Sequence, residues 1–244
     1  MKHFIFLLGR PGCGKSVVYK IIKEILERKE IYSPRVDDFL TLKEILAEDK
    51  EFKRHILKDG GFAVTDWTVV DEALSDLCKL VEKEKADKKI IFIEFARDNY
   101  KHAFENFTKD VLNDSIILYL YSTFEECYKR NVARFQKKCN EMNLRNDPDF
   151  SRVVNEANSN HNVADASSSV SEANNGHDNH IVPLDLMKTY YKTDDYEQVY
   201  LKSEKELMEI VPAKTVVLDS TISGETGMEN LRKQIEKEVI NELF

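Results

Sequence analysis

The sequence predicts an α/β fold in which helices cover both faces of a parallel sheet of roughly five strands. Apolar segments of strand length alternate along the chain with segments of helical periodicity, as in parallel sheets with crossover helices. A glycine-rich segment joins the first predicted strand to the first predicted helix. With 244 residues, 42% of them hydrophobic, the chain is long enough for one α/β domain. We therefore expect residues 1–244 to form a single domain.

The first strand and the loop after it carry the most specific signal in the chain. A strand is predicted over about residues 3–8, and residues 9–16 read Gly-Arg-Pro-Gly-Cys-Gly-Lys-Ser, which fits the pattern G-x-x-x-x-G-K-[ST]. A helix with an apolar face is predicted from Lys15 to about Lys29. Glycines let such a loop turn tightly, so that its N–H groups and the positive end of the helix face a polyphosphate.

This motif assigns phosphate contacts to a continuous set of residues. Lys15 is expected to reach the β- and γ-phosphates, and the Ser16 hydroxyl is expected to ligate Mg²⁺. The predicted nucleotide-binding residues are Gly9, Arg10, Pro11, Gly12, Cys13, Gly14, Lys15, Ser16 and Val17.

The rest of the chain continues the alternation of strands and helices. Further strands are predicted near residues 32–36, 90–93, 115–121 and 215–218. Helices are predicted near residues 42–48, 52–57, 68–85, 100–107, 123–139 and 228–243. Residues 151–180 are rich in Asn and Ser and almost free of large apolar side chains, so we expect a flexible excursion there.

Charge and cysteine content exclude several function classes. The formal charge is −8, from 36 basic and 44 acidic residues, which argues against a general nucleic-acid or membrane-surface binder. None of the four cysteines forms a C-x-x-C pair, so a reducing cytoplasm is the simpler expectation. No apolar run approaches the length of a membrane span, and no signal peptide is predicted at the N-terminus.

Charged residues follow two of the other predicted strands. Asp37 and Asp38 end the second strand, and Glu94 ends the third, with Arg97 three residues later. Ligands of open α/β sheets bind at the carboxyl ends of the strands. One aspartate can accept a proton from a substrate hydroxyl or orient it, and both can also serve as helix-capping acids. Glu94 can hold Mg²⁺, and Arg97 can bind an anionic group of the substrate.

A basic helix is predicted to form a lid over about residues 123–145. Arg130 and Arg134 are four residues apart and so share one face of this helix. A closing lid would bring an arginine to the transferring phosphoryl group, where its charge stabilises the transition state.

These motifs together resemble the P-loop kinase superfamily of adenylate, gluconate and shikimate kinases and related nucleoside and metabolite kinases. Gly9–Lys15 resembles the loop of adenylate-kinase-like enzymes, and Asp37–Leu40 resembles their turn at the phosphoryl acceptor. Glu94–Arg97 is similar to their strand-three motif, Arg130–Arg134 to the start of their lid, and Leu218–Thr221 to a motif near the adenine.

The resemblance implies a three-layer α-β-α P-loop NTPase fold with a helical lid, and it implies ATP and Mg²⁺ as cofactors. The implied reaction is phosphoryl transfer to a small molecule, either a nucleoside, a nucleotide or another hydroxyl-bearing metabolite. The expected catalytic residues are Lys15, Asp37, Asp38, Arg130 and Arg134. The expected acceptor-binding residues are Asp37, Asp38 and Arg97, and the expected metal ligands are Ser16 and Glu94.

Two other classes of function remain open at this point. One is a nucleotide-binding ATPase or regulatory switch without an acceptor pocket, although a guanine-specific Asn-Lys-x-Asp motif is absent. The other is a kinase acting on a macromolecule, which the net charge disfavours for an RNA substrate. The sequence leaves open the acceptor, the choice of ATP or GTP, the oligomeric state, and which of Asp37 and Asp38 faces the site.

Overall fold

The computed structural model describes residues 1–58, 61–141, 182, 184–202 and 213–244. The strands of this part are β1 (Phe4–Leu8), β2 (Arg35–Asp37), β3 (His55–Lys58), β4 (Gly61–Val64), β5 (Ile91–Glu94), β6 (Ser115–Tyr121) and β7 (Lys214–Asp219). The first helices are α1 (Lys15–Glu27), α2 (Asp38–Glu48), α3 (Thr68–Lys83), α4 (Tyr100–Phe104) and α5 (Lys109–Asn113). The later ones are α6 (Phe124–Glu141), α7 (Leu184–Lys188), α8 (Asp195–Lys202), α9 (Gly224–Gln234) and α10 (Ile240–Leu243), with a π-helical turn at Ile235–Val239.

Five strands form one parallel sheet in the order β2-β5-β1-β6-β7. The central strand β1 pairs with β5 on one side and with β6 on the other, so that Ile5 lies beside Phe92 and Ile116. The outer strands β2 and β7 complete the sheet, also in parallel register. The predicted parallel sheet of about five strands is confirmed.

Helices cover both faces of this sheet because its strands are apolar on both sides. Along β1, Phe4, Phe6 and Leu8 pack into a core with residues of α3, α4 and α5. Ile5 and Leu7 belong to a second core, with residues of α1, α6, α7, α9 and α10. Successive strand residues point to opposite faces, so an unbroken apolar run fills both cores. The architecture is therefore three-layered, as predicted.

The segment after α2 differs from the prediction. The prediction of a helix near residues 52–57 is wrong. Strands β3 and β4 form an antiparallel pair there, in which His55 lies beside Val64. His55 is buried at 6% exposure and its neighbour Ile56 is 48% exposed. This alternation has the period of a strand, and the run is too short to show a helical period.

Smaller differences concern the ends of elements. The helix predicted at 100–107 stops at Phe104, and α5 follows it as a separate short helix capped by Thr108. The closing helix begins at Gly224, earlier than predicted. The excursion predicted at 151–180, and the end of the lid beyond residue 141, lie outside the described residues. None of the described helices has the length and apolarity needed to cross a membrane.

Candidate nucleotide and acceptor site

The carboxyl ends of the parallel strands bring most of the predicted site residues to one edge of the sheet. The glycine-rich loop follows β1, Asp37 ends β2, and Glu94 ends β5. In the sheet register Glu94 lies between Leu7 and Asp37. The chain order β1, β2, β5 thus becomes the spatial order β2, β5, β1, which places the acids beside the loop.

The loop after β1 has a backbone that only glycine can follow at two positions. Gly9 and Gly12 have φ values of +130° and +86°. A Cβ at Gly12 would lie 2.5 Å from the Cys127 carbonyl oxygen, and one at Gly9 would lie 2.6 Å from that of Leu120. Both contacts are far closer than real Cβ atoms approach, so the loop is packed directly onto β6 and α6 through its glycines.

Helix α1 begins directly after this loop, so that the N-terminal end of the helix adjoins it. Gly14 precedes the helix in a left-handed conformation, and no side chain caps the helix. The Lys15 ammonium folds back over the loop and donates to the carbonyls of Gly9 at 2.6 Å and Arg10 at 3.2 Å. Free N–H groups at a helix start, together with an adjacent ammonium, fit the phosphates of a nucleotide.

Glu94 and Ser16 provide oxygen atoms of the kind that Mg²⁺ prefers. Glu94 Oε1 lies 3.9 Å from the Lys15 ammonium. Arg35 lies at the same point, with its Nη1 atom 3.4 Å from Glu94 Oε2 and 3.1 Å from the Ser16 hydroxyl. A positively charged group therefore lies beside both oxygen donors, and Mg²⁺ carries charge of the same sign.

Sequence reasoning did not find Arg35. Its guanidinium packs over the Tyr19 ring at 5.1 Å from the centroid. A signal was available, because Arg35 stands two residues before Asp37 on the same strand, and residues at this spacing point to the same side.

Two of the residues predicted to bind the acceptor, Arg97 and Asp38, form an ion pair. Arg97 Nη2 lies 2.7 Å from Asp38 Oδ2, and the guanidinium also bonds to the carbonyls of Ala96 and Val70. Burial acts to lower the pKa of Arg97, but the Asp38 carboxylate, together with Tyr190 and Tyr191, outweighs it and raises that pKa. The guanidinium consequently stays charged although the residue is buried.

Two tyrosines interact with Arg97, and a tryptophan stacks on one of them; none of the three was predicted as a site residue. Trp67 is 45% exposed and stacks on Tyr190, with ring centroids 4.5 Å apart. Tyr191 packs edge-on against Tyr190. Burial raises the pKa of Tyr191 to about 12, against the opposing effect of Arg97. The phenol therefore remains neutral and can act as a hydrogen-bond donor.

Arg130 lies at the junction of the loop, α6 and the segment after β7. It donates to the carbonyls of Gly12 at 3.3 Å and Ser220 at 3.0 Å, and to the Ser223 hydroxyl at 2.8 Å. Arg134, one turn later, is exposed. The two predicted lid arginines thus differ, since one is anchored beside the loop and the other faces solvent.

The segment after β7 is tied to the glycine-rich loop. The Ser220 hydroxyl donates to the Cys13 carbonyl at 2.5 Å, and the Ser220 N–H donates to the Tyr121 carbonyl at 2.8 Å. The Cys13 side chain is fully buried, and burial raises its thiol pKa. Only the backbone of Cys13 can therefore contribute to ligand binding.

The remaining loop residues contribute mainly structure through their side chains. Arg10 is turned away from the loop surface and forms a buried ion pair with Glu197. Pro11 and Val17 are half-buried, and the N–H of Val17 donates to the Gly14 carbonyl in the first turn of α1.

Topology and loop together decide the fold type. A glycine-rich loop of the G-x-x-x-x-G-K-[ST] pattern connects a central parallel strand to a helix, within a sheet covered on both faces. The chain has the P-loop NTPase fold. Among its described residues, no group of three or more His, Cys, Asp or Glu side chains is arranged to hold a metal ion.

Comparison with known proteins gives structural matches only. No protein-family model and no curated protein sequence matches the chain. A shikimate kinase from Acinetobacter baumannii in complex with shikimate is 13% identical, with a TM-score of 0.46, and the match covers 99% of this chain and 95% of that one. A gluconokinase from Sinorhizobium meliloti is 11% identical, with a TM-score of 0.43 and coverages of 98% and 94%.

A third match is the APS kinase of Mycobacterium tuberculosis in complex with AMPPNP and APS. It is 15% identical, with a TM-score of 0.40, and the match covers 53% of this chain and 69% of that one. All three are described as kinases. The assignment of the fold rests on the strand order and the loop of this chain.

Proposed function

We propose that this protein is a kinase that transfers a phosphoryl group from ATP, with Mg²⁺, to a small-molecule acceptor. One observation carries the proposal: the phosphate-binding loop and the Asp37, Asp38 and Arg97 cluster lie at the same edge of one sheet, with Glu94 between them. A protein that only binds or hydrolyses a nucleotide needs the loop, but it has no need of a buried arginine–aspartate pair beside it.

The nucleotide side of the proposed site uses mainly backbone. The N–H groups of the loop and of the first turn of α1 would hold the phosphates, and Lys15 would exchange its bonds to the Gly9 and Arg10 carbonyls for phosphate oxygens. Ser16 and Glu94 would hold Mg²⁺. ATP would supply the phosphoryl group, and Mg²⁺ would offset its charge.

On the acceptor side, we assign different roles to the two aspartates. The Asp38 carboxylate is committed to Arg97, whose Nη2 atom lies 2.7 Å away. Asp37 adjoins Glu94 in the sheet, and Glu94 in turn adjoins Leu7 of β1, the strand that leads into the loop. We therefore assign Asp37 as the group that takes the proton from the acceptor hydroxyl as its oxygen attacks phosphorus. Asp38 would hold Arg97 in place to bind the acceptor.

The two lid arginines would act at different points. Arg130 contacts the loop and the segment after β7, so it would bind close to the nucleotide. Arg134 is exposed on the same helix and would reach the transferring group only after the lid moves inward. A net charge of −8 favours a small-molecule acceptor over a nucleic acid, and a cytoplasmic location remains part of the proposal.

The test is an acceptor screen. Purified protein with Mg-ATP is mixed with nucleosides, nucleotides, sugars, polyols and hydroxyl-bearing amino acids, and ADP release is measured. We expect one class to raise ADP release well above the background. Lys15→Ala should reduce the rate by roughly 10³-fold or more, because the ammonium stabilises charge on the transferring group.

Two controls separate kinase activity from other outcomes. Lys23→Ala removes an exposed lysine on the same helix α1 and should leave the rate unchanged. ADP release that is independent of every acceptor, yet lost in Lys15→Ala, would contradict the kinase proposal and favour an ATPase or switch.

A further inference from the structure

A buried polar network lies beneath the phosphate-binding loop and is not part of the proposed chemistry. Its first contact is between the Gly9 N–H and the Tyr100 hydroxyl, at 2.9 Å. Tyr100 is fully buried in α4, and its ring packs edge-on against Tyr119 of β6. The first residue of the loop is therefore held by a side chain from another element.

The second contact is made by Arg10, which is 4% exposed. Its guanidinium donates to the carbonyls of Ser122 at 3.1 Å and Lys192 at 3.2 Å, and it forms an ion pair with Glu197. Burial acts against its charge, but Glu197 outweighs this effect and raises the pKa of Arg10. A charged side chain of the loop is thus committed to α8 and to the segment before it.

The same segment also reaches Tyr119 and Tyr100. Asp194, which is 4% exposed, accepts from the Tyr119 hydroxyl at 3.0 Å and from the Glu197 N–H at 2.8 Å. The Asp195 carboxylate accepts from the N–H of Tyr100 at 2.9 Å. Residues 192–197 therefore contact both Arg10 and Tyr100, although they lie about 180 residues from the loop in sequence.

The loop atoms involved are those that orient the predicted catalytic lysine. Lys15 donates to the carbonyls of Gly9 and Arg10, and these are the two residues that the network holds. Movement of Arg10 would shift both carbonyls and, with them, the ammonium group. The contacts thus connect Glu197 to Arg10 and Arg10 to Lys15.

We propose that residues 192–197 set the nucleotide affinity of the loop, with Arg10, Tyr100 and Glu197 as positioning residues. This inference rests on the proposed nucleotide-binding function of the loop. None of the three residues touches the nucleotide in this scheme. They determine how well Lys15, which bonds to the Gly9 and Arg10 carbonyls, is placed to bind it.

The test measures ATP affinity by calorimetry on the full chain. Glu197→Gln removes the charge of the partner while keeping its shape, and we expect ATP to bind at least about 10-fold more weakly, since a charged hydrogen-bond partner of a buried arginine is lost. Glu24→Gln is the matched control, because it makes the same change in an exposed ion pair with Arg232 on the protein surface. Its affinity should equal that of the wild type.

A double-mutant cycle with Lys15→Ala distinguishes positioning from general loosening of the fold. If Glu197 acts through Lys15, then Glu197→Gln in the Lys15→Ala background should weaken ATP binding much less than it does in the wild type. Equal effects in both backgrounds would overturn the proposal.

Two milder variants keep the test decisive if Glu197→Gln does not fold. Tyr100→Phe removes only the hydroxyl that contacts Gly9, and Glu197→Asp retains the charge on a shorter side chain. We expect each to weaken ATP binding by a few fold. Wild-type affinity in both folded variants would overturn the proposal, whereas a wild-type protein that binds no ATP would refute the proposed function itself.

Discussion

The nucleotide side and the acceptor side of this site are built in different ways. On the nucleotide side, the loop is a continuous segment whose glycines press against the Leu120 and Cys127 carbonyls. On the acceptor side, Asp38 and Arg97 come from separate elements and meet through an ion pair. In the proposed function, nucleotide recognition would therefore depend on backbone shape, and acceptor recognition would depend on the side chains of this ion pair. The following predictions test this difference.

The largest effect is expected from Gly12→Ala. The new Cβ would lie 2.5 Å from the Cys127 carbonyl oxygen, so the loop must move away from α6. We expect ATP affinity to fall by more than about 100-fold, together with a loss of stability of roughly 2–4 kcal/mol. Calorimetry and urea unfolding measure both quantities.

Gly14→Ala is the control for this substitution. Gly14 also has a positive φ, of +98°, but its Cβ would meet only the Ser220 Cβ, at 3.9 Å. It should therefore show the cost of the backbone conformation, about 1–2 kcal/mol, without the clash. Equal losses of affinity in the two variants would show that close packing on α6 does not shape the loop.

The next largest effect is expected from Asp37→Asn. Loss of the proposed proton acceptor should lower kcat by roughly 10²–10⁴-fold and leave the KM for ATP unchanged. Asp38→Asn should instead raise the acceptor KM and lower stability, because the buried Arg97 loses its partner at 2.7 Å. The reverse pattern, with kcat lost mainly in Asp38→Asn, would exchange the two assignments.

A third prediction concerns the effect of pH on the buried polar network beneath the loop. Burial raises the pKa of Asp194 to about 7, opposed by its bonds from the Glu197 N–H and Tyr119 and by Arg10. A carboxyl whose folded pKa exceeds its unfolded value binds protons more tightly when folded. Its contribution to stability is therefore complete near pH 4 and is lost as the pH rises to 7. Asp194→Asn should remove this loss, worth up to about 4 kcal/mol.

The measurement is urea unfolding of the wild type and Asp194→Asn at pH 5 and pH 8. The free energy of unfolding of the variant, minus that of the wild type, should be larger at pH 8 than at pH 5. Asp114 serves as a control of opposite sign, because Lys85 and His3 outweigh its burial and lower its pKa. Asp114→Asn should lower the free energy of unfolding at neutral pH, and this difference from the wild type should disappear at acid pH. A pH-independent difference between the wild type and Asp194→Asn would contradict an elevated pKa.

The smallest effect is expected from Trp67, the single tryptophan of the chain. It is 45% exposed and stacks on Tyr190, which interacts with Arg97. Binding of the acceptor should change its fluorescence by tens of per cent, and binding of ATP alone should change it much less. Trp67→Phe must abolish the signal. A response to ATP that equals the response to the acceptor would show that the two sides are not separate.

Local signals in the sequence were enough to predict the elements that follow a single period or a single motif. The buried strand at Ser115–Tyr121 and the loop before α1 are of this kind. The β3–β4 pair was missed because His55 and Ile56 alternate over too few residues to be told from a short helix. Arg35 was missed because its partners Ser16 and Glu94 belong to other elements.

By itself, the sequence determined the parallel α/β architecture, the loop of residues 9–16, and the acids at the ends of two strands. These features depend on residues close together in the chain, so their physics can be read locally. Only the tertiary structure decided that Asp38 pairs with Arg97, that Arg35 lies beside Ser16, and that Arg10 is committed to Glu197. Such pairings depend on the order of strands in space and on burial, which neither periodicity nor motif spacing encodes.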